Sequence, residues 1–293
     1  MENWGPGCQG AFGVKAPSGA GWGGHVFYLI KNKNGATQKG VIMLSQVKFG
    51  TRFLTATLLL IPALGCTIFG MMPYSFWVGL FGGSDEAVQS AGAYFYWKNC
   101  LSTGSCLIPL VLLGALNSRF FKTGTLMIAG LVFSMIGDFF MKQSNLIGGI
   151  GFFGLGHICF MLFFFLNGRM SWASLAALVI LLAAYLPYFF TALVPAIRPA
   201  PNGTILIGAV AFYLAVSVLS FSATLSFGSK WWLRILAALG IGCILFSDTL
   251  IAENMFCHRD KLYFLMMPTY LATHFLIAAA AVYNFVLYKT EAE

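Results

Sequence analysis

Gly240, Ile241, Gly242, Cys243, Ile244, Leu245, Phe246, Ser247, Asp248, Thr249, Leu250, Ile251, Ala252, Glu253, Asn254, Met255, Phe256 is an apolar run interrupted by a carboxylate, Asp248. A carboxylate inside hydrocarbon costs several kcal/mol unless it is paired, neutralised or facing water, so Asp248 demands an explanation. The run also decides the fold class, because stretches like it recur along the chain. Of 293 residues, 59% are hydrophobic and 9% charged, where a soluble domain carries about 25% charged residues. The expected fold is all-α, a polytopic transmembrane bundle.

From residue 53 onward, apolar stretches of about 20 residues alternate with short polar or Pro/Gly punctuation, the length that crosses about 30 Å of hydrocarbon. Eight spans are expected, at 52–72, 91–116, 122–142, 148–168, 172–194, 203–227, 231–252 and 263–288. Residues 51–288 then form the membrane domain, 289–293 a short C-terminal tail, and 1–50 a Gly-rich tail without helical period. Residues 73–90 read as a longer connection with the character of an interface helix. Pro109, Pro187 and Pro268 fall inside spans, where neighbouring helices satisfy the freed carbonyls.

The net charge of +8 reads as topology. No soluble domain is large enough to present a basic face to nucleic acid, so no nucleic-acid partner is expected. The seven cysteines form no CxxC pair, and most lie in apolar runs where a free thiol behaves as a small hydrophobe. An even number of spans puts both termini on one face. Beyond the N-terminal tail that face collects Arg52, Arg119, Lys122, Arg169, Lys230, Arg234 and Lys289, against Lys142, Arg198, Arg259 and Lys261 opposite. The positive-inside rule therefore predicts cytoplasmic termini. The sequon Asn202, Gly203, Thr204 falls on the other face, in agreement.

With this topology the buried polar residues fall in one layer. Asp138 and Asp248 lie about four residues from the non-cytoplasmic ends of spans three and seven; Lys98, His157 and His274 lie on spans two, four and eight, which start from that face. At 1.5 Å per residue all five sit about 6 to 17 Å deep. A lone intramembrane histidine also serves helix packing, and Lys98 is long enough to snorkel. The aspartates are too short for that, which makes the pair the candidate site. Ser134 lies one turn before Asp138 on the same face, and Ser247 and Asn254 flank Asp248. An Asp-bearing span is followed by a His-bearing one twice, a pattern resembling a parallel four-helix duplication in which 130–141 answers to 240–251. No Gly-rich phosphate loop, HExxH or GxSxG is present.

The segments Gly130, Leu131, Val132, Phe133, Ser134, Met135, Ile136, Gly137, Asp138 and Phe246 to Phe256 resemble the two signature stretches of the YhhN-like lysoplasmalogenase family. Phe153, Gly154, Leu155, Gly156, His157, together with Lys98 and with Tyr270, Leu271, Ala272, add to the likeness, which covers about residues 90–288. Two positions depart from the family pattern: His274 stands where Gln is usual and Asn99 where Pro is common. The resemblance implies a multi-pass membrane hydrolase that splits the vinyl ether of lysoplasmalogens into a fatty aldehyde and a glycerophospho-base, with a lysophospholipid and the bilayer as partners and no cofactor.

That chemistry suits the residues. A vinyl ether hydrolyses when an acid protonates its β carbon and water captures the resulting oxocarbenium ion. The enzyme needs one protonated carboxyl and one carboxylate, as in glycoside hydrolysis, and two carboxyls at one depth in low dielectric hold one proton between them. Asp138 and Asp248 are thus expected to be catalytic. His157 would bond a carboxyl or the attacking water, Lys98 would meet the phosphate, Ser134, Ser247 and Asn254 would orient the carboxyls, and the lipid tail would lie around residues 160–165. Two rival readings use the same residues. Asp138, Asp248, His157 and His274 could ligate zinc for lipid hydrolysis, or relay protons in a coupled carrier.

Overall fold

The computed structural model describes residues 40–72, 76, 85–228 and 230–288. Contacts divide the chain into Met1–Lys48 and Phe49–Glu293. In the first unit only residues 40–48 are described, as helix.

Each apolar stretch is a helix, because in hydrocarbon every backbone N–H and C=O must be satisfied within its own segment. The helices are α1 (Gly40–Gly70), α2 (Asp85–Leu116), α3 (Ser118–Lys142), α4 (Leu146–Leu166), α5 (Trp172–Tyr188), α6 (Gly203–Thr224), α7 (Trp231–Cys257) and α8 (Met266–Leu287). Eight stretches are long and apolar enough to cross a membrane, the one begun by α5 running on to Ile197 and the one ended by α8 starting at Tyr263. Three helices run about five residues or more beyond the expected ends. α1 begins at Gly40, inside the stretch read as tail, and α2 begins at Asp85, inside the stretch read as connection. α7 runs past residue 252 to Cys257, so Glu253 and Asn254 are helical. In each case the apolar-run criterion stops at polar residues that a helix simply carries out of the bilayer. Residues 1–39 of the expected tail, 73–75 and 77–84 of the expected connection, and 289–293 lie outside the described residues.

The helix contacts follow a repeating order. α2 packs on α3 and α3 on α4; α6 packs on α7 and α7 on α8; α4 against α6 and α8 against α2 close a ring of six. The register that carries Gly130 onto Gly240 also carries Asp138 onto Asp248 and Thr103 onto Tyr213. A second register carries Phe153 onto Tyr270, His157 onto His274 and Phe160 onto Ile277. The contacts obey it: a Cβ added at Gly130 meets Phe160, and one at Gly240 meets Ile277. These glycines let α3 approach α4 and α7 approach α8 closely, as small residues do in membrane helix pairs.

α1 and α5 stand outside the ring. α1 is tied to α2 by Ser102 to Thr67 (3.3 Å), and to α8 by Thr57 with Tyr283 (3.0 Å) and the stacked Phe53–Tyr283 rings. α5 packs on α6 and, beyond Pro187, widens into a π-helical turn, Phe189–Leu193, that touches α7 before finishing at Val194–Ile197.

The two ends of the bundle are built differently. At the end bearing residues 117, 167–171 and 225–228, the chain bridges itself at Gly168 and Phe227; Arg169 N donates to the Ser226 carbonyl (2.9 Å), Ser174 and Ser226 hydroxyls meet at 2.6 Å, and Ser222 donates to the Ser174 carbonyl (2.5 Å). Gly168 is required there, since a Cβ would strike the Ser226 carbonyl. Phe163, Phe164, Phe227 and Phe285 fill the space beneath with fully buried rings in mutual contact. The other end, here called the site end, turns through left-handed Ser144, Asn202 and His258 and is bound by Tyr188 and Arg259, both donating to Glu253 (2.6 and 3.1 Å). The bundle is plugged at one end, and three cavities among the described residues lie towards the other.

Candidate active site

A cavity of about 350 Å³ lies inside the ring at the site end, and both aspartates line it. Asp138, one turn before the end of α3, and Asp248 on α7 are each half-buried. Met141, Lys142, Phe153, Ile251, Met255, Met266 and Met267 form much of the remaining wall, with Asn99, Tyr263 and Tyr270. The two carboxyls, brought from separate helices, thus share one pocket that is otherwise mostly apolar.

Each carboxyl takes a hydrogen bond from a tyrosine. Tyr270 Oη on α8 donates to Asp138 Oδ2 at 2.8 Å. Tyr213 Oη on α6 donates to Asp248 Oδ2, and His157 Nε2 on α4 lies 3.1 Å from the same phenol oxygen. A phenol has one hydrogen. With that hydrogen on Asp248, His157 must donate from Nε2, which leaves Nδ1 as a bare acceptor; Nδ1 is indeed buried with no hydrogen-bond partner. An edge-to-face contact with Tyr213 fixes the imidazole further. Behind Tyr270, His274 presses its ring edge-on against the phenol, centroids 4.8 Å apart, and its Nδ1 meets Thr103 Oγ1 at 3.3 Å. Phe153 and Tyr270, equivalent in the two halves, meet edge-on across the cavity.

Two smaller spaces branch from Asp248. One, about 80 Å³, is lined by Leu146, Ile150, Val210, Ala252 and Phe256, and it shares Met141, Phe153, Ile251 and Met255 with the main cavity. The other, about 60 Å³, lies among Tyr185, Tyr188, Leu193, Leu214 and Leu245 and shares Val210, Tyr213 and Ala252 with the first. Both are apolar apart from the phenols, Asp248, Thr249 and Ser217. The main cavity can hold a polar group beside the carboxyls, and the branches can hold a hydrocarbon chain.

The structure therefore brings Asp138 and Asp248 to one cavity, links His157 to Asp248 through Tyr213, and treats the other expected residues differently. His274 is fully buried behind Tyr270 and off the cavity wall. Lys98 is buried at the α1 side, where its Cγ lies 3.8 Å from the position of a Gly70 Cβ; it does not line the cavity. Ser134 turns back to the Gly130 carbonyl (3.0 Å), and Ser247 spans to the Met266 carbonyl (3.1 Å), so each hydroxyl satisfies backbone rather than a carboxyl. Asn254 lines none of these spaces and bonds neither aspartate. The main cavity does not reach residues 160–165, where Phe160, Phe163 and Phe164 are fully buried. Among the described residues no three His, Cys, Asp or Glu side chains converge as metal ligands.

Sequence reasoning passed over Tyr213 and, except as part of a resemblance, Tyr270. Both read as apolar in a hydropathy profile. A depth rule that counted phenols would have found them: Tyr213 lies about as far into α6 as His157 lies into α4, and Tyr270 is one turn before His274.

A family model described as the YhhN family matches residues 100–281, a stretch that contains both aspartates, both tyrosines and both histidines. No curated protein and no solved structure matches the chain.

Proposed function

Since the chain belongs to the YhhN family, we propose that it is a membrane hydrolase that cleaves the vinyl ether bond of lysoplasmalogens with Asp138 and Asp248 as its acid and carboxylate. The observation that carries this reading is that the two carboxyls, each oriented by a phenol, line one cavity from which apolar branches open at Asp248. Such a shape suits an amphiphile with one hydrocarbon chain: polar glycerophospho-base in the main cavity, enol ether at the carboxyls, tail in the branch between α4, α6 and α7.

In the proposed reaction, the protonated carboxyl delivers its proton to the β carbon of the vinyl ether, and the electron pair of the double bond forms the new C–H bond. The oxocarbenium ion that results is held by the facing carboxylate, which then takes a proton from the water that adds to it. As the hemiacetal collapses to fatty aldehyde, its hydroxyl proton passes to the first carboxylate, and the former ether oxygen leaves as the glycerol hydroxyl with the proton that the second carboxyl took from water, which restores both groups. Positioned acid–base groups of this kind contribute about 10² to 10⁴ in rate, and the carboxylate contributes only where water is excluded from its face. Tyr270 and Tyr213 hold the carboxyls in position, and His157 holds Tyr213.

The plugged end supports an enzyme over a carrier, because the buried phenylalanines and the hydroxyl network occupy the path that alternating access would have to open. The excess of Lys and Arg at that end supports cytoplasmic termini and a site facing the opposite compartment. The test is to incubate purified protein in detergent with a lysoplasmalogen and with its saturated ether analogue, and to assay free aldehyde. Aldehyde is expected from the first alone; none from either ends the proposal.

A further inference from the structure

Of the side chains that line the main cavity, three are acidic or basic: Asp138, Asp248 and Lys142. An anionic group entering beside two carboxyls needs a cation, and Lys142 is the cation on this wall. It ends α3, one helical turn beyond Asp138, so the two project from the same face about 6 Å apart along the axis. Lys142 is exposed where Asp138 is half-buried, which sets it at the rim with the carboxyl inside.

We propose that Lys142 is the phosphate anchor of the substrate site. The choice of ligand rests on the proposed function. In a lysoplasmalogen the enol ether oxygen and the phosphorus are separated by the glycerol carbons and an ester oxygen, a short chain whose extended length matches one turn of helix. With the ether at Asp138 the phosphate falls at Lys142, headgroup outward, and the hydrocarbon is left to turn into the apolar branch beside Met141. A flexible ammonium at a rim follows a phosphate as a point charge, as lysines commonly do. Lys98, the residue that sequence alone suggests for this contact, is only 6% exposed and packs beneath α1 and α8. The ordinary alternative role for Lys142 is to complement the C-terminal dipole of α3; that role stabilises the helix and makes no distinction between ligands with and without phosphate.

The experiment exploits that difference without needing turnover. Binding of a saturated 1-alkyl glycerophosphoethanolamine and of the matching phosphate-free 1-alkylglycerol is measured in the same micelles. Wild-type protein is expected to prefer the phosphate-bearing ether by about tenfold or more, the scale of one charge-assisted contact. Lys142→Met abolishes the preference, Lys142→Arg keeps it, and Lys98→Met keeps it. A wild type without preference, a Lys142→Met protein that retains it, or its loss in Lys98→Met alone overturns the anchor. The outcome is separate from cleavage: the expected binding pattern without aldehyde release overturns the proposed function and leaves the anchor standing, whereas cleavage with a preference unaffected by Lys142→Met does the reverse.

Discussion

The Asp138 and Asp248 halves of the site are built from equivalent helices and differ in what stands behind each phenol. Asp248 receives Tyr213, and Tyr213 is held in turn by His157, giving a continuous chain from α7 through α6 to α4. Asp138 receives Tyr270, but the equivalent histidine, His274, sits on the same helix as that tyrosine, touches it only by ring contact and gives its Nδ1 to Thr103. Asp248 also borders all three cavities, whereas Asp138 borders the largest alone. A repeated fold thus supplies two carboxyls at one depth, and the departures from the repeat make them unequal. Acid–base chemistry needs that inequality, since one group must give the proton while the other stays ionised.

The most severe challenge to the comparison is removal of either carboxyl. Asp138→Asn and Asp248→Asn are each expected to lower kcat/KM for aldehyde release by about 10³, within the range for a lost general acid or base, with elution profile and melting temperature close to wild type. Substantial activity in either variant would reduce the pair to a single working group.

The inequality itself is sharpened by the phenols. Tyr213→Phe removes the bond to Asp248 and strands His157 Nε2, so a loss of about 10–100-fold in kcat is expected, on the scale of a hydrogen bond to a charged group. Tyr270→Phe, whose histidine keeps its Thr103 contact, is expected to cost less. Combining each with His157→Leu decides the matter: losses with Tyr213→Phe overlap and those with Tyr270→Phe add. Additivity in both would mean that His157 acts independently of the chain.

A smaller effect is expected at the branch that distinguishes Asp248. Ala252→Phe fills part of the space among Leu146, Ile150 and Val210, and should raise KM several-fold for long alkenyl chains while leaving short ones nearly unchanged. A chain-length profile of initial rates checks this; a uniform change would place the tail elsewhere. Smallest are the paired substitutions Gly130→Ala and Gly240→Ala, where the added methyl meets Phe160 in one half and Ile277 in the other. Each should destabilise by about 1–3 kcal/mol in detergent unfolding, as overpacking does. A large disparity would show that the repeat does not extend to packing.

The fold was legible because hydrocarbon leaves the backbone few options: span count and most boundaries follow from apolar length alone. The errors fell at α1, α2 and α7, where helices continue through polar residues that hydropathy treats as ends. The carboxyls were legible because charge in an apolar span is costly, and His157 followed from its depth. Ser134 and Ser247 were misassigned because a serine in a membrane helix is as readily satisfied by a carbonyl, its own helix's or a neighbour's, as by a side chain. Lys98 was misplaced because depth says nothing about which side of a helix faces the cavity; Lys142, counted only as a loop charge, faces it. The phenols were passed over because tyrosine reads as apolar in a hydropathy profile.

The measurement that bears most directly on the central claim is hydrolysis of a lysoplasmalogen in heavy water, with the isotope content of the aldehyde read by mass spectrometry. Proton donation to the vinyl ether places a solvent deuterium on the carbon next to the aldehyde group, and Asp138→Asn and Asp248→Asn release that labelled product about 10³ more slowly than wild type. Aldehyde formed without deuterium at that carbon, or formed at wild-type rate by either variant, would contradict carboxyl-pair catalysis.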